Sequence, residues 1–209
     1  MTASRIPHRG KNTRNRVLAL ARRGAVVRTR DATAVGVHTQ VLTRLVRAGT
    51  LERVGPGRYR LANADVTEQH DLVLAASAVP SGVVCLLSAL RFHNIGTQLP
   101  HQVWIAVTRA TRVPRLKRPP LRTVRVSPSM FNQGIERHRL EGHAVRVYSL
   151  ARTVADCFRF RNTIGLDVAL EALKETWCSG RLNLDELDRV AKRLRVNRVM
   201  QPYLETIVL

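Results

Sequence analysis

Short helix-like segments separated by glycines, followed by a Gly-Pro-Gly turn, organise the first third of the chain. In the first and third segments the apolar residues repeat at helical spacing. The second is expected to be a short helix with Thr29 as its N-cap, and the last has the pattern of a β-hairpin around Gly55-Pro56-Gly57. Gly36 is placed to form a tight turn between the second and third helices. The segments are residues 13–23, 29–34, 38–48 and 51–61. This order predicts a winged helix-turn-helix domain over residues 13–62, preceded by a flexible basic arm at residues 1–12.

The third helix-like segment has two chemically distinct faces. Its apolar stripe consists of Val41, Leu42, Leu45 and Val46. The opposite face carries amide, hydroxyl and guanidinium groups, and in the DNA major groove glutamine pairs with adenine and arginine with guanine. We therefore interpret the segment as a helix that contacts base edges, with the hairpin arginines along a flanking phosphate backbone. The predicted DNA-binding residues are Thr29, Arg30, His38, Thr39, Gln40, Thr43, Arg44, Arg47, Arg58 and Arg60. The alternative is a small helical domain that contacts protein.

The charge of the chain favours a polyanionic partner. Among 209 residues, 35 Lys+Arg oppose 15 Asp+Glu, which gives a formal net charge of +20, and 31 of the basic residues are arginine. The guanidinium group presents a planar set of donors that matches phosphate. Net charge falls from +12 in residues 1–62 to +6 in residues 63–148 and +2 in residues 149–209. The alternative, a uniform compositional bias toward arginine, does not explain this gradient.

The remainder of the chain predicts a mixed α+β domain. Residues 72–90 form a 19-residue stretch without charge, near the length of a membrane span, but Pro80-Ser81-Gly82 interrupts it. We therefore expect two short buried helices joined by a turn. Strands are expected at residues 103–107, 121–126, 135–140 and 144–148, and helices at 68–79, 84–93, 149–160, 166–177, 183–194 and 197–207. Ser149 and Asn183 are expected to be the N-caps of two of these helices. The fold class is thus α+β, with a winged helix-turn-helix followed by a C-terminal domain over residues 66–209 that ends in a helical tail.

A second basic run follows the first buried strand. Residues 109–125 contain seven basic residues and no acidic one, and three prolines among them predict a loop rather than a helix face. Such a loop is either simply solvated or a second strip that contacts phosphates. The residues of that strip would be Arg109, Arg112, Arg115, Lys117, Arg118 and Arg122.

Sequence patterns that would indicate catalysis are missing. There is no Gly-rich phosphate loop with a following lysine, no His-Glu-x-x-His, and no metal-ligand spacing among the seven histidines and three cysteines. Glu171 and Lys174 are three residues apart on an expected helix, which indicates an ion pair rather than a nuclease site. Asp156 is expected to pair with Arg152 or Arg159 on one helix. We expect no enzymatic activity, no metal and no cofactor.

Four segments of the body resemble the AbiEi family, the regulator half of bacterial type IV (AbiE-like) toxin–antitoxin pairs. They are P-S-G-V-V-C-L-L-S-A-L-R-F-H from Pro80, P-H-Q-V-W-I-A-V from Pro100, V-R-V-Y-S-L-A-R-T-V-A-D-C-F from Val145 and G-L-D-V-A-L-E-A-L from Gly165. The resemblance covers nearly the whole chain after the N-terminal arm. It implies that Thr39, Gln40, Thr43 and Arg44 lie on the recognition helix and Arg58 and Arg60 on the wing. Tyr148, Arg152 and Asp156 match the family pattern, with structural support as the expected role.

The resemblance also implies a function. AbiEi-like proteins repress their own promoter at inverted repeats of double-stranded DNA and counteract a nucleotidyltransferase-like toxin. We expect a monomer or weak dimer in solution and no membrane association. Cooperative binding of two copies to DNA is left open. The polar N-terminus lacks an apolar signal segment, so the expected location is the cytoplasm. Two alternatives stay open: a sequence-neutral nucleic-acid-binding protein, and an antitoxin that modifies its toxin enzymatically.

Overall fold

The computed structural model describes residues 9–24, 26–64, 67–116 and 118–208. Residues 9–64 form a winged helix, here called the head, and residues 67–208 form a mixed α+β unit, here called the body. The head contains α1 (Arg9–Arg23), β1 (Val27–Arg28), α2 (Thr29–Ala34), α3 (Thr39–Arg47), β2 (Leu51–Gly55) and β3 (Arg58–Leu61). The body contains α4 (His70–Ala78), β4 (Val83–Val84), α5 (Leu86–Phe92), β5 (Val103–Val107), β6 (Leu121–Arg125), α6 (Pro128–Phe131), β7 (Ile135–Leu140), β8 (His143–Tyr148), α7 (Leu150–Arg159), α8 (Arg161–Ile164), α9 (Leu166–Cys178), α10 (Leu184–Leu194) and α11 (Asn197–Val208).

The helices of the head pack on an antiparallel sheet of strand order β1-β3-β2. Val17, Leu42 and Leu51 are buried at its centre, so each of the two longer helices and the wing, the β2–β3 hairpin, contributes an apolar anchor. The winged helix prediction is confirmed. Helix α1 begins at Arg9, four residues before the predicted start, so residues 9–12 belong to a helix and not to an arm. The rest of the predicted arm, residues 1–8, lies outside the described residues.

The body is built on a five-stranded sheet of order β6-β5-β4-β8-β7. The pairs β5–β6 and β4–β8 are parallel, and β4–β5 and β7–β8 are antiparallel. Helix α4 covers one face, where Val103, Ile105 and Val107 of β5 are buried. Trp104 and Ala106 point to the other face, which α5, α7 and the helical tail cover. Because both faces are covered, strand β5 is apolar at every position.

One predicted helix was wrong at its start. Residues 83–84 form β4, not the first turn of a helix, and α5 begins only at Leu86. The turn at residues 80–82 returns the chain to the sheet, where Val83 pairs with Ala106 and Val84 with Val147. The approach is close, because a Cβ atom at Gly82 would lie 2.7 Å from Cγ2 of Ile105. Among the described helices, none has the length and apolar character needed to cross a bilayer.

The helical tail follows the predicted pattern closely. The Ser149 hydroxyl accepts a hydrogen bond from the backbone N–H of Arg152 at 3.3 Å, and the Asn183 side-chain oxygen accepts one from Glu186 at 2.9 Å. Both predicted N-caps are confirmed. Helices α9 and α10 pack against α7. The division of the chain into domains at residues 62–66 stays a prediction.

The head lies directly against the body. Val26 before β1 and Val54 in the wing join the apolar cluster of α4. Near this contact, Glu141 in the β7–β8 turn accepts a hydrogen bond from the backbone N–H of Thr67 at 3.0 Å, and its Oε2 lies 2.8 Å from Nδ1 of His70. Apolar burial and this polar network together hold the start of α4 and the β7–β8 turn in one place.

Candidate nucleic-acid interface

Helix α3 presents a polar face to solvent. It begins after His38, whose Nδ1 accepts a hydrogen bond from the backbone N–H of Gln40 at 3.3 Å. Leu42 and Leu45 anchor the opposite face in the head core. The exposed residues are His38, Thr39, Gln40, Thr43, Arg44 and Arg47. Those within the helix recur at intervals that place them on one side. The six residues predicted to contact bases are therefore accessible together, and their contact with bases stays a prediction.

The turn between α2 and α3 is fixed by local contacts. Gly36 has a φ of +74°, a left-handed conformation that glycine adopts without strain. Arg16 of α1 donates a hydrogen bond from Nη1 to the carbonyl oxygen of Val35 at 3.2 Å. These contacts fix the turn that positions α3. Helix α1 therefore supports the helix-turn-helix, although it is not part of the exposed polar face of α3.

Thr29 and Arg30 differ in availability. Thr29 is the first residue of α2 rather than its N-cap, which is Arg28. Its backbone N–H and hydroxyl both donate to the carbonyl oxygen of Gly57, at 2.9 and 3.3 Å, so the hydroxyl is engaged with the wing turn. The Arg30 side chain is 71% exposed. Of the two residues predicted to contact DNA, Arg30 has an exposed cationic side chain, whereas the Thr29 hydroxyl already donates a hydrogen bond within the head.

The wing arginine Arg58 faces the body and not the solvent side of the head. Its Nε donates to the carbonyl oxygen of Ser77 at 3.2 Å and its Nη2 to that of Ala78 at 3.3 Å. Burial lowers its pKa. The sequence predicted that this side chain lies along DNA phosphate. The structure shows the guanidinium at the C-terminal end of α4, and its contact with phosphate stays a prediction.

Arg60 is likewise turned inward. Its Nε forms an ion pair with Glu52 on the neighbouring strand, and its side chain is only 15% exposed. Nη1 lies 3.4 Å from Nε2 of His70 at the start of α4. Arg60 still lines a cleft between head and body, and its contact with phosphate stays a prediction. Arg58 and Arg60 are two residues apart on β3 and therefore share one face. That face turned out to be the one next to the body.

Arg53 is the exposed wing arginine that the sequence analysis missed. It lies on β2, its side chain is exposed, and its Nε donates to the carbonyl oxygen of Gly55 at 3.3 Å. It pairs in register with Tyr59, the residue between the two inward arginines. The signal available in the sequence was the strand register, since residues paired across a hairpin point to the same face.

Five of the six residues predicted for the second basic strip are exposed, Arg122 among them. Arg109, Arg112, Arg115 and Arg118 are exposed in the connection between β5 and β6. Lys117 lies outside the described residues. The guanidinium carbon of Arg122 lies 4.6 Å from the centroid of the Trp104 ring, a cation–π contact on strand β6. Nη1 of Arg125 lies 2.9 Å from the carbonyl oxygens of Thr108, Arg109 and Thr111, and so it organises the loop from within.

This strip adjoins the wing in space. Arg53 and Pro56 of the wing and Arg115, Leu116 and Arg118 of the loop line one cleft of about 750 Å³. Residues some sixty positions apart in the chain thus form a single basic border between head and body. The loop is not an isolated patch, since it continues the exposed basic surface of the wing.

Tyr148, Arg152 and Asp156 form a buried cluster at the hairpin–helix junction. Nε of Arg152 donates to Oδ2 of Asp156 at 2.9 Å, and Nη1 donates to the carbonyl oxygen of Met130 at 2.7 Å. The Tyr148 ring lies 4.4 Å from the guanidinium carbon, and its hydroxyl donates to the carbonyl oxygen of Phe131. Burial raises the pKa of Asp156, and Arg152 partly offsets this rise. The predicted Arg152–Asp156 pair is confirmed.

Other reactive groups are placed in apolar surroundings. Cys85 and Cys157 are buried, and burial raises the pKa of both thiols, so neither is a thiolate at neutral pH. Cys178 is exposed at the end of α9. Within residues 9–24, 26–64, 67–116 and 118–208, no three His, Cys, Asp or Glu side chains are grouped so that they could hold a metal ion.

Comparison with known proteins agrees with the winged helix. Residues 15–62 match a family model described as "Transcriptional regulator, AbiEi antitoxin". The comparison with curated proteins found no match. Among solved structures, the crystal structure of the RV2827C protein from Mycobacterium tuberculosis is similar, with a TM-score of 0.56 and 16% identity over 91% of this chain and 73% of that chain. This last similarity shows a shared fold and extends from the head into the body.

Proposed function

We propose that this chain, whose residues 15–62 match the AbiEi transcriptional regulators, is a DNA-binding antitoxin that represses its own operon. The observation that carries the proposal is the exposed polar face of α3 on a basic winged helix. Gln40 and Arg44 contact base edges in the major groove, where amide and guanidinium groups distinguish base pairs. Arg47, next along the same face, is close enough to the duplex to contribute to phosphate contact.

The phosphate contacts are redistributed relative to the sequence prediction. Arg58 and Arg60 are engaged with the body and with Glu52. Arg53 on the wing, Arg30 at the start of α2, and Arg115 and Arg118 in the loop take over this role. The duplex therefore runs over the head and along the basic border of the body. Inverted repeats in the promoter allow two copies to bind, as a monomer or weak dimer in solution that assembles on DNA.

The body supplies the antitoxin activity in this proposal. The family description of the head names an antitoxin. In this proposal the partner is a nucleotidyltransferase-like toxin that the neighbouring gene encodes, and both proteins act in the cytoplasm. The helical tail carries a net charge of only +2 in residues 149–209, so it suits a protein partner better than DNA. An apolar groove lies between α10 and α11, lined by Leu184, Leu187, Met200 and Leu204.

A reporter fused to the region upstream of this gene tests the proposal in cells. Expression of the wild-type chain should lower reporter output, and Arg44→Ala should restore it, whereas Arg198→Ala on the exposed side of α11 should leave repression intact. Co-expression with the adjacent gene should relieve its growth inhibition. Unchanged reporter output with soluble wild-type protein would contradict the autoregulatory role. Continued growth inhibition under co-expression would contradict the antitoxin role.

A further inference from the structure

A second, smaller cleft lies where the head meets the body. It is formed by the start of α2, the wing turn and the end of α4, and has a volume of about 330 Å³. The charged residues that line it are Arg28, Arg30 and Arg58. This cleft is separate from the one beside the 109–118 loop, and it is lined by residues from both sides of the head–body contact.

Arg28 is the unusual group in this cleft. Its Nε is buried and has no hydrogen-bond partner among the described residues. Buried guanidinium nitrogens normally have a partner, because leaving a charged donor unpaired is costly. Burial lowers the pKa of Arg28, and the neighbouring charges of Arg30 and Arg58 lower it further. The protein therefore holds a partly desolvated cation beside two others of the same sign.

The charges that face Arg28 do not neutralise it. Asp31 is the nearest acid, but its Oδ2 accepts from the backbone N–H of Arg28 at 3.2 Å and its Oδ1 lies 3.7 Å from Nε of Arg30. Arg58 is already matched by the carbonyl oxygens at the end of α4. On the body side, His143 lies close enough for the charge of Arg28 to lower its pKa. The local balance stays positive.

We propose that this cleft binds a phosphate-class oxyanion, with Arg28 and Arg30 as its ligands. Guanidinium groups match such oxyanions by paired, charge-assisted hydrogen bonds, and the cleft has room for a phosphate group. Arg58 holds the body side of the cleft in place through α4. Bound there, the anion offsets the repulsion among the positive charges of Arg28, Arg30 and Arg58, so its binding stabilises the folded chain. The same chemistry can come from free phosphate or from one phosphate of a DNA backbone.

Thermal unfolding of the full chain in inorganic phosphate tests whether free phosphate binds in the cleft. Phosphate is titrated against chloride at constant ionic strength, using wild type, Arg28→Gln and the control Arg198→Ala. At a phosphate concentration tenfold above the Kd, the wild-type Tm should rise by about 3–5 °C. The control should show the same rise, and Arg28→Gln should show none. General stabilisation by phosphate would raise the Tm of all three proteins alike. That result would overturn free phosphate as the occupant of the cleft.

Binding to a scrambled duplex over a range of salt concentrations tests the DNA source. If a backbone phosphate occupies the cleft, Arg28→Gln should reduce the slope of log K against log salt by about 0.9 relative to wild type, and Arg198→Ala should not. If Arg28→Gln fails to fold, Arg30→Gln replaces it, since the Arg30 side chain is 71% exposed. If no Tm rise depends on Arg28 and the slope is also unchanged, the proposal is overturned. Because neither arm uses a specific operator, a failure of sequence recognition would not affect this result.

Discussion

The guanidinium of Arg58 in the wing donates a hydrogen bond to the carbonyl oxygen of Ala78, the last residue of α4, at 3.3 Å. Carbonyl groups at a helix C-terminus carry partial negative charge and lack intrahelical partners. A guanidinium placed there supplies both a positive charge and hydrogen-bond donors to these carbonyl groups. The basic residue that would be expected to bind DNA in a free winged helix thus orients the head against the body.

Replacing Arg58 by alanine should therefore lower stability more than it lowers DNA affinity. Hydrogen bonds from a charged donor contribute about 1.5–3 kcal/mol each when well formed, and partial exposure reduces this, so we expect a loss of about 1–2 kcal/mol in the free energy of unfolding. Urea denaturation of Arg58→Ala measures it, with Arg198→Ala as control. Unchanged stability together with a reduced salt slope for DNA binding would show that Arg58 contacts phosphate instead.

The buried pair Arg152–Asp156 should be far more sensitive than an exposed pair of the same spacing. Arg152→Met leaves the Asp156 carboxylate buried without its cation, which should cost about 3–5 kcal/mol of unfolding free energy. Lys192→Met breaks the exposed i,i+4 pair with Asp188, which should cost about 0.2–1 kcal/mol. The double variant Arg152→Met/Asp156→Leu should regain much of the loss. Chemical denaturation compares them, and equal losses in the two single variants would contradict the assignment of a structural core pair.

Acidification should destabilise the chain through His93. Its Nε2 lies 2.8 Å from the carbonyl oxygen of Tyr148, and burial lowers its pKa below the usual 6.5. Below pH 6.5 the unfolded chain binds a proton that the folded chain does not. The contribution of His93 is therefore fully present above pH 6.5 and is lost as pH falls through the lowered pKa, with a slope of at most about 1.4 kcal/mol per pH unit.

The variant His93→Gln keeps a side-chain donor and removes this titration. Its unfolding free energy should fall less steeply than that of wild type between pH 6.5 and 5. His143, whose pKa is lowered by burial and by Arg28, supplies part of the remaining dependence. Parallel pH profiles for wild type and His93→Gln would show that His93 is not the group responsible.

Arginines of the body loop should contribute to DNA affinity without affecting sequence preference. Arg115 and Arg118 are exposed beside the wing cleft. Arg115→Ala and Arg118→Ala should each weaken binding to any duplex and reduce the salt slope by about 0.9, because each removes one phosphate contact. Fluorescence anisotropy with operator and scrambled duplexes measures both effects. If both variants bind both duplexes with wild-type affinity, the loop does not contact DNA.

Replacing Arg44 should change sequence preference, unlike replacing the loop arginines, which should weaken binding to every duplex. Arg44 lies on the exposed face of α3 with Gln40, and loss of a base contact costs about 1–3 kcal/mol of discrimination. Arg44→Ala should lose affinity for the operator and keep its affinity for scrambled DNA. Equal losses on both duplexes would place Arg44 on the phosphate backbone.

The sequence predicted the elements better than it predicted their partners. The apolar spacing on α3 and the caps Ser149 and Asn183 depend on local chemistry, so they could be predicted from neighbouring residues alone. The strand at Val83 could not be predicted, because its hydrogen-bond partners are β5 and β8, which are distant in the chain. Local residues cannot distinguish a two-residue strand from the start of a helix.

The inward orientation of Arg58 has the same origin. Nothing near residue 58 indicates that the end of α4, some twenty positions later, would supply carbonyl acceptors. The strand alternation did contain the information that Arg53 lies on the face opposite to Arg58 and Arg60. Which of the two faces meets the body is decided by tertiary packing, through Val26 and Val54.

Binding to the duplex upstream of this gene, compared with a scrambled duplex of equal composition at two salt concentrations, tests the central claim most directly. If α3 reads bases, the wild-type chain should prefer its own upstream duplex by about 1,000-fold or more at physiological salt, and the preference should persist at the higher salt. Equal affinity for the two duplexes, with a steep loss of both as salt rises, would contradict the account. The net charge of +20 would then act only as a nonspecific attraction to phosphate.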